Sequence, residues 1–200
     1  MIRLLGRKTS GNVQKVLFLL EELGLGYERE DYGRQFENTQ TDAYLAMNPN
    51  AKVPTLVDGD LVVWESNTIL RYLAAKAGSA LYPADPAIRT HIERWMDWQL
   101  ASLNGPYLAV FKGSRLEPSE RGAGFEASGK DLAAQLAILD GALANRDWLA
   151  GDAVSLAEYC LGPIIQRCLN FPVDLPALDH LRMWHQRVAA LPAFSRAVPT

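Results

Sequence analysis

Ala51-Lys52-Val53-Pro54-Thr55-Leu56, followed after a turn by Trp64-Glu65-Ser66-Asn67-Thr68-Ile69-Leu70, is the stretch from which the fold of this chain is read. Pro54 cannot donate to a sheet ladder, so it belongs at the first residue of a strand or in a loop that leaves neighbouring backbone groups unpaired. Val53 is then a position where an extended peptide could pair. Asp58-Gly59 reads as a two-residue turn because both residues tolerate positive φ, and Leu61-Val62-Val63-Trp64 reads as the returning strand. Ile69, Leu70 and Leu73 fall on one helical face, which puts Ser66 at or near a helix start. Exposed N–H groups and the positive end of the helix dipole favour a carboxylate there, and Glu65 offers the opposite charge to an amine. A ligand carrying both an ammonium and a carboxylate fits this pair. Taken singly, Pro54 also fits an ordinary strand-edge proline and Ser66 an ordinary helix cap.

Upstream, residues 2–6 form a short strand candidate and Arg7-Lys8-Thr9-Ser10-Gly11-Asn12 a polar loop. Val13, Val16, Leu17 and Leu20 then recur at helical spacing, in a helix that should end near Gly24 and Gly26. A second strand at 27–32 completes a βαβ unit with a parallel pair. Residues 33–47 are polar and read as a loop with an irregular helix over the sheet edge. The order β-α-β-α-β-β-α is that of a thioredoxin-like domain, expected over residues 1–78.

Small residues and prolines at 79–86 mark a linker, after which strand patterns stop and residues 87–200 read as an all-helical domain. Ile88, Ile92, Trp95 and Met96 share one face of a helix that continues to Gly105-Pro106, where the proline should kink or end it. Leu132, Leu136, Leu139 and Leu143 mark the next helix. Ser155-Leu156-Ala157-Glu158 has the form of a capping box and sets the start of a mostly apolar helix.

Two hundred residues, 48% of them hydrophobic, are enough for a substantial core in one large or two small domains. A net charge of −3 without a basic stripe argues against a nucleic-acid partner. No run approaches the roughly 18 apolar residues that span a membrane, and the apolar start is too short for a signal peptide, so a cytoplasmic protein is expected. Cys160 and Cys168 stand eight residues apart in a presumed helix, about 12 Å by helical rise, too far for a disulfide. They read as small buried apolar residues, and nothing nearby recommends a reactive thiol. His91, His180 and His185 have no companions at metal-ligand spacing.

The run from Asn48-Pro49 through Lys52-Val53-Pro54 to Glu65-Ser66 resembles the glutathione-binding signature of cytosolic glutathione transferases, in particular the serine-type, phi- and theta-like classes. The resemblance covers nearly the whole chain, strongest from Thr9 to Leu73 and generic in the helical half. It implies an α/β thioredoxin-like N-terminal domain followed by an all-α domain, and a cis Val53–Pro54 bond. It also implies that Val53 pairs its backbone with the cysteinyl part of glutathione, and that Glu65 and Ser66 hold the γ-glutamyl end. Lys52 and Gln40, with Thr39 beside it, fall where the family meets the glycyl end, although Lys52 also reads as an ordinary solvated lysine. Ala51 stands where many relatives have glycine, and Glu158 where the family's box usually has aspartate.

Glutathione transfer needs a thiolate, and a free thiol is only about 3% ionised at pH 7. Aligning Ser10-Gly11-Asn12-Val13 with the phi-like Ser-Thr-Asn-Val pattern makes Ser10 the first candidate for the thiolate donor and Asn12 the second. Each also fits a helix cap. The loop holds neither a cysteine nor the tyrosine of the alpha-like enzymes, so the chain does not resemble tyrosine-type, beta or omega enzymes. Tyr107 and Phe111 are the aromatic candidates for the second substrate, with core packing as the alternative. Trp95 and Trp98 read as core.

The resemblance thus implies an enzyme that conjugates glutathione to a small, apolar electrophile in detoxification. Glutathione is its co-substrate, and no metal or other cofactor is implied. A homodimer is expected, with no nucleic-acid or membrane partner. A glutathione-dependent peroxidase or dehalogenase on the same fold, and a non-catalytic binding protein, are the rivals.

Overall fold

Residues 1–199 are described by the computed structural model. The first part of the chain runs β1 (Ile2–Leu5), α1 (Gly11–Leu23), β2 (Tyr27–Glu30), α2 (Asp42–Met47), β3 (Thr55–Asp58), β4 (Leu61–Trp64) and α3 (Ser66–Lys76). The strands form one mixed sheet in the order β2-β1-β3-β4, with β1 parallel to β2 and antiparallel to β3. This is the βαβαββα order that the alternation of periods predicts, because α1 is the crossover that a parallel pair requires. Val13, Val16, Leu17, Phe18, Leu19 and Leu20 are all buried, so α1 is covered nearly all round rather than on one stripe.

The hairpin differs from expectation by one residue. Asp58 pairs with Leu61, so the two-residue loop is Gly59-Asp60 rather than Asp58-Gly59. Gly59 takes the positive φ, at +62°. The reason lies in α3: Tyr72 donates a hydrogen bond of 2.7 Å to the Asp58 carboxylate, and Lys76 reaches the same oxygen, so Asp58 is retained as the last residue of β3.

Between β2 and α2 the chain makes a 3-10 turn, Arg34–Phe36, with Arg34 and Glu37 both at positive φ. Asn38 closes this loop on itself. Its Oδ1 accepts from the Gly33 N–H at 3.0 Å and its Nδ2 donates to the Asp31 carbonyl at 3.0 Å.

Packing divides the molecule at 83/84, and the first compact unit, Met1–Pro83, also takes in residues 189–199. The sequence reading had left this end with the helical domain. The physical cause is α9 (Pro192–Ala197), which packs on α1: Phe194 meets Phe18 edge to face at 5.1 Å, and Arg196 Nε donates to Glu21 at 2.7 Å.

The second unit, Ala84–Val188, is helical. Its helices are α4 (Pro86–Trp98), α5 (Asn104–Gly113), α6 (Ala123–Ala142), α7 (Leu156–Leu169) and α8 (Asp179–Ala189). Pro106 does not end the helix. A π-helical turn, Gln99–Leu103, joins α4 to α5 immediately ahead of it, and this wider turn accommodates a residue that cannot donate. Leu132, Leu136, Leu139 and Leu143 are buried at the expected spacing. Trp95 and Trp98 are half-buried rather than core, and Trp95 Nε1 donates to the Leu149 carbonyl at 3.0 Å.

Both halves of the capping box at Ser155 are formed. Glu158 is fully buried, and its carboxylate accepts from Ser155 N at 2.8 Å, Ser155 Oγ at 2.8 Å and Leu149 N at 2.7 Å. Burial raises its pKa against the pull of these donors. Cys160 and Cys168 are buried in α7 and form no disulfide, and burial pushes the Cys168 thiol up. His185 is half-buried within α8 instead of at a surface or helix end, and burial lowers its pKa. Among the described residues, no helix is long and apolar enough to cross a membrane.

Candidate active site

Ser10 begins α1 with its backbone in an extended conformation, φ −86° and ψ 124°. Its N–H donates to the Arg7 carbonyl at 3.1 Å and its carbonyl accepts from Gln14 N at 2.9 Å. Its hydroxyl makes no capping bond. A donor is thereby left at the positive end of a thirteen-residue helix, where the first N–H groups also point. Asn12, two residues on, is exposed.

The loop ahead of β3 is fixed from beneath. The Lys52 carbonyl accepts from Tyr44 Oη at 2.6 Å and from Asn48 Nδ2 at 2.9 Å, and Thr55 Oγ1 meets the same two groups at 2.9 and 3.1 Å. Tyr44, Asn48 and Thr55 are buried, and burial raises the Tyr44 phenol pKa. Ala51 sits at φ +53°, and the Val53–Pro54 peptide bond is cis. The sequence pattern includes Asn48-Pro49 without assigning Asn48 a role, and Tyr44 lies in the stretch read as an irregular helix.

Gly6, at the end of β1, lets the two segments converge. A Cβ there would stand 2.5 Å from Val13 Cγ2 and 3.3 Å from Val53 Cβ, so any side chain would part the start of α1 from the Val53 loop.

At α3 the helix starts one residue earlier than a Ser66 cap requires. Glu65 occupies the cap position at φ +68° and ψ 114°, and its side chain makes no capping bond. Ser66 is the first helical residue and is buried. Non-glycine residues at such φ cost on the order of 1 to 3 kcal/mol and persist where surrounding structure holds them. The first turn of α3 holds no acidic side chain, so its positive end is uncompensated from within the helix. Lys15 of α1 donates to Asn67 Oδ1 of α3 at 3.3 Å, tying the two helix starts together.

The first unit therefore brings together Ser10, Val53, Pro54, Glu65 and Ser66 around the starts of α1 and α3 and the end of β1. Gln40, ahead of α2, and Lys52 are exposed, and their side chains stand in solvent. Tyr107 and Phe111 lie in the second unit, on α5, where their rings stack at 6.1 Å and 13°. Phe171, which sequence reasoning passed over, joins them at 5.8 and 6.4 Å. Beside it opens a cavity of about 690 Å³, lined also by Arg121, Phe125 and Val173. Among the described residues no cluster of His, Cys, Asp and Glu could hold a metal ion.

Two family models match the chain: the glutathione S-transferase N-terminal domain over residues 2–75 and the glutathione S-transferase C-terminal domain over residues 106–192. Glutathione S-transferase GstB of Escherichia coli is 40% identical, over 99% of this chain and 98% of its own. Glutathione S-transferase 4 of Zea mays is 31% identical, over 98% and 91%. The crystal structure of a theta class glutathione S-transferase from Xanthomonas axonopodis pv. citri, with glutathione bound, matches at TM-score 0.95 and 40% identity, covering 100% of this chain and 97% of that one.

Proposed function

This chain belongs to the glutathione S-transferase family, and we propose that it ionises the thiol of glutathione at Ser10 and transfers the sulfur to a small, apolar electrophile. The observation that carries the reading is the Ser10 hydroxyl, which stands at the positive end of α1 and caps nothing. In this reading the γ-glutamyl carboxylate takes the N–H groups and hydroxyl at Ser66, and its ammonium faces Glu65. Val53 pairs with the cysteinyl peptide ahead of Pro54, and Lys52 and Gln40 reach the glycyl end from solvent. The theta class relative holding glutathione supports this ligand. Tyr107 and Phe111 serve the electrophile, and Asn12 stands as the second donor to the thiolate.

The chemistry needs only glutathione and the electrophile. The thiol proton leaves to solvent, and the thiolate pair attacks an electrophilic carbon. A halide departs, or an epoxide C–O bond breaks and its oxygen takes a proton from solvent, or the C=N π bond of an isothiocyanate breaks and its nitrogen takes the proton, and a carbon–sulfur bond remains. Detoxification in the cytoplasm, by a homodimer, is the setting that fits.

Glutathione turnover with halogenated aromatics, epoxides, isothiocyanates, haloacids and hydroperoxides tests the proposal. S-conjugates from at least one carbon electrophile are expected. Glutathione disulfide from hydroperoxides with no conjugate would make the enzyme a peroxidase, and turnover confined to haloacids a dehalogenase. Binding of glutathione with no turnover of any class would leave a binding protein.

A further inference from the structure

The loop that carries Ser10 is held at its two ends by different means. On the strand side Gly6 N donates to the Glu30 carbonyl at 2.8 Å, Arg7 N to the Tyr32 carbonyl at 3.2 Å and Arg29 Nη1 to the Gly6 carbonyl at 2.9 Å, so Gly6 and Arg7 continue the pairing of β1 with β2. Lys8 and Thr9 are exposed, and apolar packing therefore does not set the two residues ahead of Ser10. On the helix side Gln14 reaches back to them. Its backbone N–H donates to the Ser10 carbonyl at 2.9 Å and its side-chain Nε2 to the Lys8 carbonyl at 3.0 Å, so one residue grips the loop before and after Ser10. Gln14 is 2% exposed, and a buried carboxamide is costly to leave unbonded, which fixes its orientation. A serine at this place ordinarily pins the helix start through its own hydroxyl, a bond that Ser10 does not make. Gln14 supplies a restraint from the next turn instead.

We infer that Gln14 is a positioning residue for the thiolate donor: by pinning the Lys8 carbonyl it fixes the loop without drawing on the Ser10 hydroxyl, which leaves that hydroxyl to the sulfur of glutathione. The inference rests on the reading of Ser10 as that donor. A donor stabilises a developing anion only where it is already in place, so a loosened loop weakens ionisation of the bound thiol. Gln14 acts through Ser10, and its loss should change the ionisation of glutathione rather than the hold on it.

Gln14→Met keeps the length of the side chain and removes the donor. Thiolate absorbance reads the pKa of bound glutathione, and calorimetry reads its affinity. In Gln14→Met the pKa of the bound thiol should rise by about half to one unit, and kcat at a pH below the titration should fall about three- to tenfold. Glutathione Kd should change by less than about twofold, since the interaction lost serves the anion and not the bound thiol. In a Ser10→Ala background, Gln14→Met should add less than about twofold to the loss of rate, because the group it positions is gone. Effects that multiply in the double variant, or a lowered Tm with an unmoved thiol titration, overturn the inference. Should Gln14→Met not fold, Gln14→Asn decides: one methylene shorter, its amide falls short of the Lys8 carbonyl, and the same rise in thiol pKa is expected, whereas a wild-type titration overturns the inference. Ser10→Ala alone separates the two levels. If it raises the thiol pKa while the Gln14 variants do not, only the role of Gln14 falls; if it titrates as wild type, Ser10 is not the donor and the inference falls with that reading.

Discussion

At Ser10 the backbone begins a helix while the hydroxyl stays out of the cap, which separates the two roles that serine has at a strand–helix junction. A two-unit drop in thiol pKa needs about 2.7 kcal/mol of preference for the anion. One hydroxyl donor to a charged acceptor gives roughly 1.5 to 3 kcal/mol and the helix end roughly 0.3 to 1, so the two together suffice without a general base. Ser10→Ala should lower the conjugation rate at neutral pH by about ten- to a hundredfold. Thiolate absorbance of bound glutathione should titrate at higher pH in that variant. If it titrates as in wild type while Asn12→Ala moves it upward, the role belongs to Asn12. Ala51 gives a stability test at the same scale, because it holds φ +53°, a conformation that costs an L-residue roughly 1 to 2 kcal/mol. Glycine relieves this but brings about 0.4 to 1 kcal/mol more unfolded-state entropy. Ala51→Gly should therefore stabilise by about 0.5 to 1 kcal/mol, or roughly 1 to 4 °C in thermal melting. An unchanged or lower Tm would mean that the surroundings favour the alanine methyl. Ser10 and Ser66 were legible in the sequence because their positions follow from local periodicity. Lys15, Tyr44 and Thr55 were not, since a lysine in a helix reads as solvated and a tyrosine as apolar until the fold supplies Asn67 and the Lys52 carbonyl.

Among the elements, α7 shows what one methylene does. The glutamate of its capping box returns to Ser155 N, and it also reaches Leu149 N at 2.7 Å, so it joins the helix start to the segment before it. The Trp184 indole donates more loosely at 3.4 Å. Glu158→Ala would strand three buried donors, Ser155 N, Ser155 Oγ and Leu149 N, at about 1 to 3 kcal/mol each, so a loss of at least about 3 kcal/mol is expected. The corresponding fall in Tm is roughly 6 to 12 °C. Glu158→Asp should keep the bond to Ser155 and lose the one to Leu149, giving an intermediate loss of about 1 to 2 kcal/mol. An aspartate variant as stable as wild type would show that the longer reach adds nothing. The box was legible because it is local, four residues with a fixed geometry. The turn at Gly59-Asp60 was misplaced by one residue because Asp58 suits a turn and a strand end equally, and the choice is made by Tyr72 and Lys76, more than a dozen residues away. The π-helical turn before Pro106 has no signal in apolar spacing, which the wider turn shifts by a single residue.

At the scale of the whole molecule, the βαβαββα order could be read because each element carries its own period and is bounded by glycine, proline or polar residues. The return of 189–199 to the first unit could not, since Phe194 and Arg196 meet Phe18 and Glu21 across some 175 residues and no local pattern records that contact. The proposed homodimer belongs to this scale as well. In the sheet order β2-β1-β3-β4 the strand β4 is an edge, and it presents Leu61 at 45% and Trp64 at 38% exposure. Monomeric proteins blunt such edges with charge, proline or a cover, because unpaired backbone beside apolar side chains invites association. A closed two-fold dimer that covers this edge would answer that liability, and most soluble homo-oligomers are of this kind. Light scattering at micromolar concentration should give twice the chain mass, and Leu61→Glu, which sets a carboxylate into the contact, should shift the mass toward the monomer. A monomeric wild type overturns the homodimer. A dimer that Leu61→Glu leaves intact moves the contact away from β4.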